Sequence, residues 1–120
     1  MSYDDNNIFA KILRGEIPCN KIYEDDFVLS FHDINPQKKI HALLIPKGEY
    51  INLDNFLEKA SEKEILEFNK AILIVAKMLR ISSQDRGYRV LSNIGKNGGQ
   101  EVPHLHYHLF GGETVGKMVV

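Results

Sequence analysis

Three of the five histidines in this 120-residue chain fall in one short segment, residues 104–110, which reads HLHYHLF. Side chains alternate between the two faces of a β-strand, so in a strand this spacing places His104, His106 and His108 on one face and the apolar residues on the other. An isolated histidine is most often a surface or core residue. A row of three imidazoles gains nothing in packing, so the pattern indicates a chemical site.

Two kinds of chemistry fit these histidines. A His-x-His pair on a strand is a common zinc arrangement, and His41 is a candidate for a further ligand. The second is metal-free covalent catalysis, in which one imidazole attacks phosphorus and a neighbouring histidine protonates the leaving group. No second cysteine or carboxylate cluster completes a zinc site in the sequence. The residues alone leave both alternatives open.

The loop before the histidines, residues 93–100, favours phosphate chemistry. Gly95, Gly98 and Gly99 permit positive φ angles and close backbone approach, so that amide groups can point at an anion, and Gln100 can donate from its side chain. The loop lacks the P-loop spacing and no helix follows it, so a flexible hairpin loop is the alternative interpretation.

The elements that must position these residues follow from hydrophobic periodicity and from glycine and proline punctuation. We expect a short helix over residues 7–15, a long helix from residue 61 to about 79 or 80, and five strands over residues 21–24, 27–32, 39–45, 86–92 and 105–110. This order predicts a single α+β domain spanning residues 1–120. It consists of a five-stranded, mainly antiparallel sheet with one short and one long helix on one side.

Two of these elements carry a clear pattern of faces. In the third strand, alternation places His41, Leu43 and Ile45 opposite Ile40, Ala42 and Leu44. In the second, it places Phe27, Leu29 and Phe31 on one face. Both strands should therefore contribute apolar side chains to the sheet.

The long helix opens on a Ser61-x-x-Glu64 capping box. Its core stripe is predicted to contain Ile65, Phe68, Ile72, Val75 and Leu79. At 100° per residue, Ile74 falls within the polar face and Leu66 and Leu73 flank it. One sheet cannot cover all of these apolar side chains, so the pattern predicts a homodimer.

Composition excludes several classes of protein. The chain has 15 basic and 16 acidic residues with no long run of either sign, so neither nucleic acid nor an anionic membrane is an expected partner. The start of the chain does not resemble a signal peptide, and no apolar run is long enough to span a bilayer. The single cysteine, Cys19, fits a reducing compartment. We therefore expect a cytoplasmic location.

The segment 104–110 resembles the His-φ-His-φ-His-φ-φ signature of the histidine triad superfamily, in which φ is an apolar residue. Residues 8–18, 31–36 and 41–47 are similar to the Hint branch of that superfamily, the purine nucleoside phosphoramidases. The similarity covers nearly the whole chain in order and is weakest over residues 47–61 and after residue 112.

The resemblance implies a catalytic role for each of four histidines. His106 is the expected nucleophile, and it forms a nucleotidyl intermediate that water then hydrolyses. The backbone carbonyl of His104 is expected to hold the other nitrogen of that ring. His108 would contact the phosphate and assist the leaving group, while His41 lines the same pocket. The family mechanism implies no metal and no cofactor.

The resemblance also implies a nucleotide site. Asp33 corresponds to the ribose-binding carboxylate, whose two oxygens suit the paired ribose hydroxyls. The expected base cleft consists of Ile8, Phe9, Ile12, Ile17, Phe31, His32 and Ile34. The expected phosphate-contacting group consists of Asn93, Gly99, Gln100, Glu101 and Val102.

The expected ligand is a purine nucleotide, AMP or GMP, or a nucleoside phosphoramidate substrate, and the resemblance implies a homodimer with a joined ten-stranded sheet. Glu101 stands where the animal proteins of this branch carry serine, and residues 113–120 contain no tryptophan. Two functions are alternatives to that of a purine nucleoside phosphoramidase. One is a nucleotide-binding regulatory or scaffold protein, and the other is an enzyme that hydrolyses dinucleoside polyphosphates.

Overall fold

The computed structural model describes residues 2–118. Those residues form three α-helices, one short 3-10 helix and five strands. The helices are α1 (Ile8–Leu13), α2 (Leu53–Lys59) and α3 (Glu62–Met78), and the strands are β1 (Lys21–Glu24), β2 (Val28–His32), β3 (Ile40–Pro46), β4 (Arg89–Leu91) and β5 (Tyr107–Gly111).

The strands form one sheet in the order β1-β2-β3-β5-β4, and every neighbouring pair is antiparallel. The central strand β3 places His41 opposite Phe110 and Leu43 opposite His108. This register brings the fourth histidine next to the histidine segment. The predicted α+β fold with a five-stranded antiparallel sheet is confirmed.

The two faces of β3 enter different hydrophobic clusters, as its alternation predicts. Ala42 and Leu44 are buried beneath α2 and α3. Leu43 and Ile45 pack on the opposite face with Phe9 of α1. The prediction that the helices lie on one side was therefore wrong, because both faces of the sheet carry apolar side chains and α1 covers the second one.

Helix α3 begins as predicted. Ser61 accepts a hydrogen bond from the Glu64 backbone N–H, and the Glu64 carboxylate accepts one from the Ser61 N–H. Phe68 and Val75 are fully buried, and the rest of the predicted stripe packs at the edge of the same cluster. Ile74 remains 38% exposed, and Leu66 and Leu73 are more exposed still.

Four local predictions differ from the structure. Helix α2 has no counterpart in the sequence analysis, although Asn52 caps it with a hydrogen bond to the Asn55 N–H. Strand β4 is shorter than predicted because a 3-10 helix (Ser83–Asp85) and the positive φ of Arg86 precede it. Phe27 precedes β2 and packs on the α3 side, away from Leu29 and Phe31. Strand β5 begins at Tyr107 and so contains only one of the three clustered histidines.

Candidate active site

The histidine segment reaches the sheet through an irregular stretch of backbone, residues 101–106. Pro103 lacks an N–H group and so cannot donate to a strand ladder. The N–H of Leu105 donates to the Tyr50 carbonyl rather than to a neighbouring strand. The prediction that residues 105–110 are one strand, with all three histidines on one face, was therefore wrong at its first two positions.

A cavity of about 190 Å³ lies beside two of the histidines. Its walls come from α1, β3, the loop after β2 and the glycine-rich loop after β4, and they consist of Phe9, Asp33, Gln37, Leu43, Asn93, Gly99, Glu101, Val102, His106 and His108. A larger cavity of about 570 Å³ is lined by residues near 80–87 and 112–114. No histidine lines that larger cavity, so its volume does not make it the chemical site.

His106 is held in one tautomer by a backbone contact. Its Nδ1 lies 2.8 Å from the carbonyl oxygen of His104. A carbonyl oxygen can only accept, so Nδ1 carries the proton, and in the neutral ring Nε2 keeps a lone pair. The ring packs edge-to-face against Phe9, with ring centroids 4.9 Å apart. The carbonyl contact expected from the resemblance is thus present, and it leaves Nε2 as the basic atom.

His104 is fully buried and does not line the cavity. Its Nε2 lies 2.8 Å from the Pro46 carbonyl oxygen and must donate to it. Its Nδ1 therefore accepts the hydrogen bond of the Tyr3 hydroxyl. Burial lowers the pKa of His104 to about 4. This side chain fixes the backbone that holds His106, and the described structure places it outside the cavity.

His41 and His108 form a hydrogen-bonded relay that gives His108 the tautomer opposite to that of His106. The Gln37 N–H lies 3.1 Å from Nδ1 of His41 and can only donate to it, so the His41 proton sits on Nε2. That nitrogen lies 2.9 Å from Nδ1 of His108 and donates to it. The His108 proton is thereby placed on its own Nε2. His106 and His108 thus present different atoms to the same cavity. Nε2 of His106 carries a lone pair, and Nε2 of His108 carries a proton that it can donate.

Burial keeps these rings neutral at pH 7. It is the largest effect on all three, and it lowers the pKa of His41, of His106 and of His108, the last to about 4. The nearby Asp33 carboxylate acts in the opposite direction on each of them. Its Oδ2 lies 3.4 Å from Nε2 of His41, which is the closest carboxylate contact in the relay.

Asp33, His41 and His108 also offer three donor atoms close enough to hold a metal ion. A metal on Nε2 of His41 would require the ring proton on Nδ1. The Gln37 N–H already points at that nitrogen, so two N–H groups would face one another. The donor set thus fits a metal poorly, because binding would break one hydrogen bond of the relay and displace another.

The structure gathers most of the predicted phosphate group around the cavity. Asn93, Gly99, Glu101 and Val102 line it together with Asp33. Gln100 does not line it. Its amide donates to the carbonyls of Ile51 and Val102, at 2.7 and 3.0 Å, and its oxygen accepts from the Gly95 N–H. Its side chain therefore holds two loops together instead of presenting a donor to an anion.

The predicted base cleft is gathered only in part. Phe9 lines the cavity, Phe31 packs against Phe9 at 5.7 Å between ring centroids, and Ile12 borders the same cluster. The other six predicted members do not line the cavity, and four of them are accessible to solvent: Ile17 and His32 are partly exposed, and Ile8 and Ile34 are 41% and 83% exposed. These four lie on the surface of this single chain.

Three site residues were missed by the sequence analysis. Leu43 lines the cavity, and the alternation that placed it beside His41 was the available signal. Gln37 acts through its backbone N–H, which the residue type cannot reveal. Tyr3 contacts a residue 101 positions away, and no local pattern indicates that contact.

Comparison with known proteins decides the family. The HIT domain model matches residues 14–115, which include every histidine of the site. The chain belongs to the HIT family. A HIT-like protein of Azospirillum brasilense is 50% identical to it over 98% of this chain and 95% of its own length. The purine nucleoside phosphoramidase of Escherichia coli K12 is 38% identical over 96% and 94% of the two chains.

Solved structures of HIT proteins share the fold. A HIT family hydrolase from Clostridium thermocellum superposes with a TM-score of 0.83 at 37% identity, covering 98% of this chain and 99% of that one. A histidine triad protein from Clostridium difficile gives a TM-score of 0.81 at 40% identity, with 98% of both chains covered. Membership of the HIT family indicates that this protein is a hydrolase of the HIT type. Within residues 2–118, no helix has the length and apolar character needed to cross a membrane.

Proposed function

We propose that this HIT protein hydrolyses purine nucleoside 5′-phosphoramidates through a nucleotidyl intermediate on His106. One observation carries the proposal: His106 and His108 line one cavity with opposite tautomers. A neutral Nε2 lone pair is a nucleophile, and a neighbouring Nε2–H is a donor for the phosphate or the leaving group. The Escherichia coli relative, named for this activity, supports the choice of substrate class.

In the first step, the Nε2 lone pair of His106 attacks the α-phosphorus and forms a P–N bond. The bond from phosphorus to the leaving nitrogen breaks, and its electron pair stays on that nitrogen. The nitrogen takes one proton from solvent, passed through Nε2 of His108. The His104 carbonyl continues to accept from Nδ1 of His106, and this contact stabilises the positive charge that the ring acquires.

In the second step, water attacks the same phosphorus and the P–Nε2 bond breaks, with its electron pair returning to His106. The proton released by the water goes back to solvent through His108. The products are the nucleoside monophosphate and the free amine, and no proton is gained or lost by the protein over the cycle. Both steps use the same pair of nitrogens, so one geometry serves both.

For the nucleotide, we propose that Asp33 accepts from the ribose hydroxyls and that Phe9 packs against the purine. Asp33 lies at the cavity with only one of its oxygens committed to a backbone N–H, that of Asn35 at 2.8 Å. The amides of the loop around Gly99, which has a φ of 75°, are the proposed phosphate donors. The remaining base-cleft residues stay predictions from the resemblance.

The test is hydrolysis of adenosine 5′-phosphoramidate, followed by the release of AMP. Rapid quenching of the protein and labelled substrate in alkaline denaturant, in which a P–N bond to histidine is stable, should leave one labelled nucleotide per chain on a peptide that contains His106. Turnover without any trapped intermediate would contradict the covalent route, and absence of turnover with any nucleoside phosphoramidate would contradict the function.

A second candidate function, zinc binding, is favoured by the cluster of Asp33, His41 and His108. The conflict at the Gln37 N–H argues against it. Overnight EDTA should leave phosphoramidate hydrolysis unchanged. Loss of activity that added zinc restores would establish the metal interpretation instead.

We also propose that the protein is a C2 homodimer. Strand β4 lies at the edge of the sheet, and Val90 on it is 41% exposed. Leu66, Leu73, Ile74 and Met78 add an exposed apolar stripe on α3. An open edge strand and an exposed apolar stripe both fit contact with a second copy of the chain, which would join two sheets into one of ten strands.

The proposed location is the cytoplasm. Cys19 is the single cysteine of the chain and is partly exposed. Burial raises the pKa of its thiol, so at neutral pH the thiol is protonated and slow to react. A free thiol of this kind fits a reducing compartment.

A further inference from the structure

The cavity beside His106 has an unusual balance of charge for a phosphate site. Two carboxylates line it, Asp33 and Glu101, and neither lysine nor arginine is among its lining residues. His106 and His108 are kept neutral at pH 7 because burial lowers the pKa of each. The wall is therefore negative before any substrate enters. A single phosphate can be held by N–H donors, but further negative charge on the substrate meets only repulsion.

The two carboxylates are not equivalent. Asp33 accepts from the Asn35 N–H and lies 3.4 Å from Nε2 of His41. Glu101 is exposed, and within residues 2–118 it takes part in no ion pair. In this part of the chain its carboxylate accepts no hydrogen bond, so of the two it is the one free to contact a substrate. The Glu101 carboxylate also raises the pKa of His106 by its charge, so its field reaches the ring that would bond to phosphorus.

The backbone around Glu101 is anchored, which gives that charge a defined place. The side-chain amide of the preceding residue, Gln100, donates to the carbonyl of Val102 on the other side of Glu101 and to the carbonyl of Ile51. Gln100 N–H also donates to the Gly95 carbonyl. The carboxylate thus lines the cavity from a fixed segment, and it lies close enough to His106 for its charge to act on a group bonded to the reacting phosphorus.

We propose that Glu101 selects the leaving group by its charge, so that nucleoside phosphoramidates of amines bearing a second, cationic group are preferred over those bearing a carboxylate. This inference rests on the proposed function and names its substrate class more closely. The same charge disfavours dinucleoside polyphosphates and nucleoside triphosphates, whose leaving groups are anionic.

The expected size of the effect follows from Coulomb's law. Two unit charges about 6 Å apart and exposed to water, with an effective dielectric constant of about 40 to 80, change a rate or equilibrium constant by a factor of about 3 to 10. A cationic and an anionic leaving group differ by two charges, so their kcat/KM values should differ by about 10- to 100-fold because of Glu101. Since the carboxylate is exposed, high salt should reduce the ratio.

The test uses adenosine 5′-phosphoramidates of 1,3-diaminopropane and of β-alanine, which end in an ammonium and in a carboxylate. The ratio of their kcat/KM values is measured for the wild type, Glu101→Gln and Glu101→Lys at 50 and 500 mM NaCl. Comparing ratios removes both the intrinsic reactivity of each substrate and any overall change in turnover. We expect the ratio to fall about 10- to 100-fold in Glu101→Gln and further in Glu101→Lys.

Glu58→Gln is the matched control, because Glu58 is an exposed residue of α2 that does not line the cavity and the substitution removes the same charge. Its ratio should equal that of the wild type. A ratio in Glu101→Gln within twofold of the wild-type ratio would overturn the proposal while leaving phosphoramidate hydrolysis intact.

A binding measurement keeps the inference testable if no phosphoramidate is hydrolysed. AMP esters of 3-aminopropanol and 3-hydroxypropanoic acid are titrated calorimetrically into His106→Ala and into the His106→Ala, Glu101→Gln double variant. We expect the single variant to bind the ammonium ester more tightly than the carboxylate ester. This preference should be smaller in the double variant. Equal preference in both would overturn the role of Glu101, whatever the outcome for catalysis.

Discussion

Nε2 of His41 lies 2.9 Å from Nδ1 of His108 and joins strand β3 to strand β5. His41 was expected to line the pocket, but it is buried behind His108 and does not line the cavity. Since the Gln37 N–H occupies the other nitrogen of His41, the direction of this hydrogen bond is determined. The His108 proton is thereby directed to Nε2. The two tautomers of a neutral imidazole have similar energies, so a single hydrogen bond can determine which one forms. Here the hydrogen bond from His41 favours the His108 tautomer whose Nε2 can donate into the cavity.

Replacing His41 by phenylalanine should release the tautomer of His108. The phenyl ring keeps the packing on Phe110, whose ring centroid lies 4.3 Å from that of His41, but it cannot donate. We expect kcat to fall about 10-fold with little change in KM, because the donor is used mainly in the transition state. Nitrogen-15 NMR of labelled histidine should show both His108 tautomers. His41→Gln, which can donate again, should restore part of the activity, and an unchanged His108 spectrum in His41→Phe would contradict the relay.

His106→Ala should abolish hydrolysis and leave the fold and nucleotide binding largely intact. The imidazole is the proposed nucleophile, and loss of such a group normally costs several orders of magnitude in rate. Single-turnover assays, circular dichroism and AMP titration measure the three properties. More than about one hundredth of wild-type turnover in this variant would exclude the covalent role.

Stability should decrease as the pH falls from 6.5 towards 4. Burial lowers the pKa of His104 from its ordinary value of 6.5 to about 4, so between these values the unfolded chain binds a proton that the folded chain does not. The stabilisation is present above pH 6.5 and is lost as the pH approaches 4, by about 3 kcal/mol for His104 alone. Urea unfolding at pH 7.5, 6, 5 and 4.5 measures it. His104→Gln, whose amide does not titrate, should show a shallower slope, and parallel slopes would mean that His104 is not the titrating group.

Asp33→Ala should raise the Kd of ribonucleotides about 10-fold or more, because the substitution removes hydrogen bonds to a charged group. A 2′-deoxynucleotide already lacks one hydroxyl partner, so its loss should be smaller. Because Asp33 also lies beside His41, the comparison of the two sugars is the informative quantity, and Asp33→Asn separates charge from shape. Calorimetric titration of AMP and dAMP provides it. Equal losses for both sugars would show that Asp33 does not read the ribose.

Ile74→Lys should convert the proposed dimer into a monomer near 13.7 kDa and lower the melting temperature. In a C2 contact the same residue occurs in both chains, so one substitution introduces two buried charges. Leu57→Lys is the matched control, because Leu57 is also an exposed apolar residue but lies on α2. Analytical ultracentrifugation at micromolar concentration is the measurement. A wild-type monomer, or a variant that dimerises at full strength, would contradict the assignment of this surface.

Features that depend on local periodicity could be predicted from the order of the residues alone. The alternation of β3 predicted which of its side chains share a face, and the Ser61-x-x-Glu64 spacing predicted the start of the long helix. The same periodicity identified Ile74 as an apolar residue on the polar side of that helix. Each of these follows from the geometry of one element, so neighbouring residues contain the necessary information.

The chemical role of each histidine depends instead on contacts that form when the chain folds. The irregular backbone after Pro103 removes His104 from the cavity and leaves His106 and His108 in it, which strict alternation could not predict. The proton positions depend on Pro46, Tyr3 and Gln37, which reach the histidines from distant parts of the chain. A tautomer is fixed by whichever donor or acceptor the fold places at each ring nitrogen, and backbone groups leave no trace in residue type.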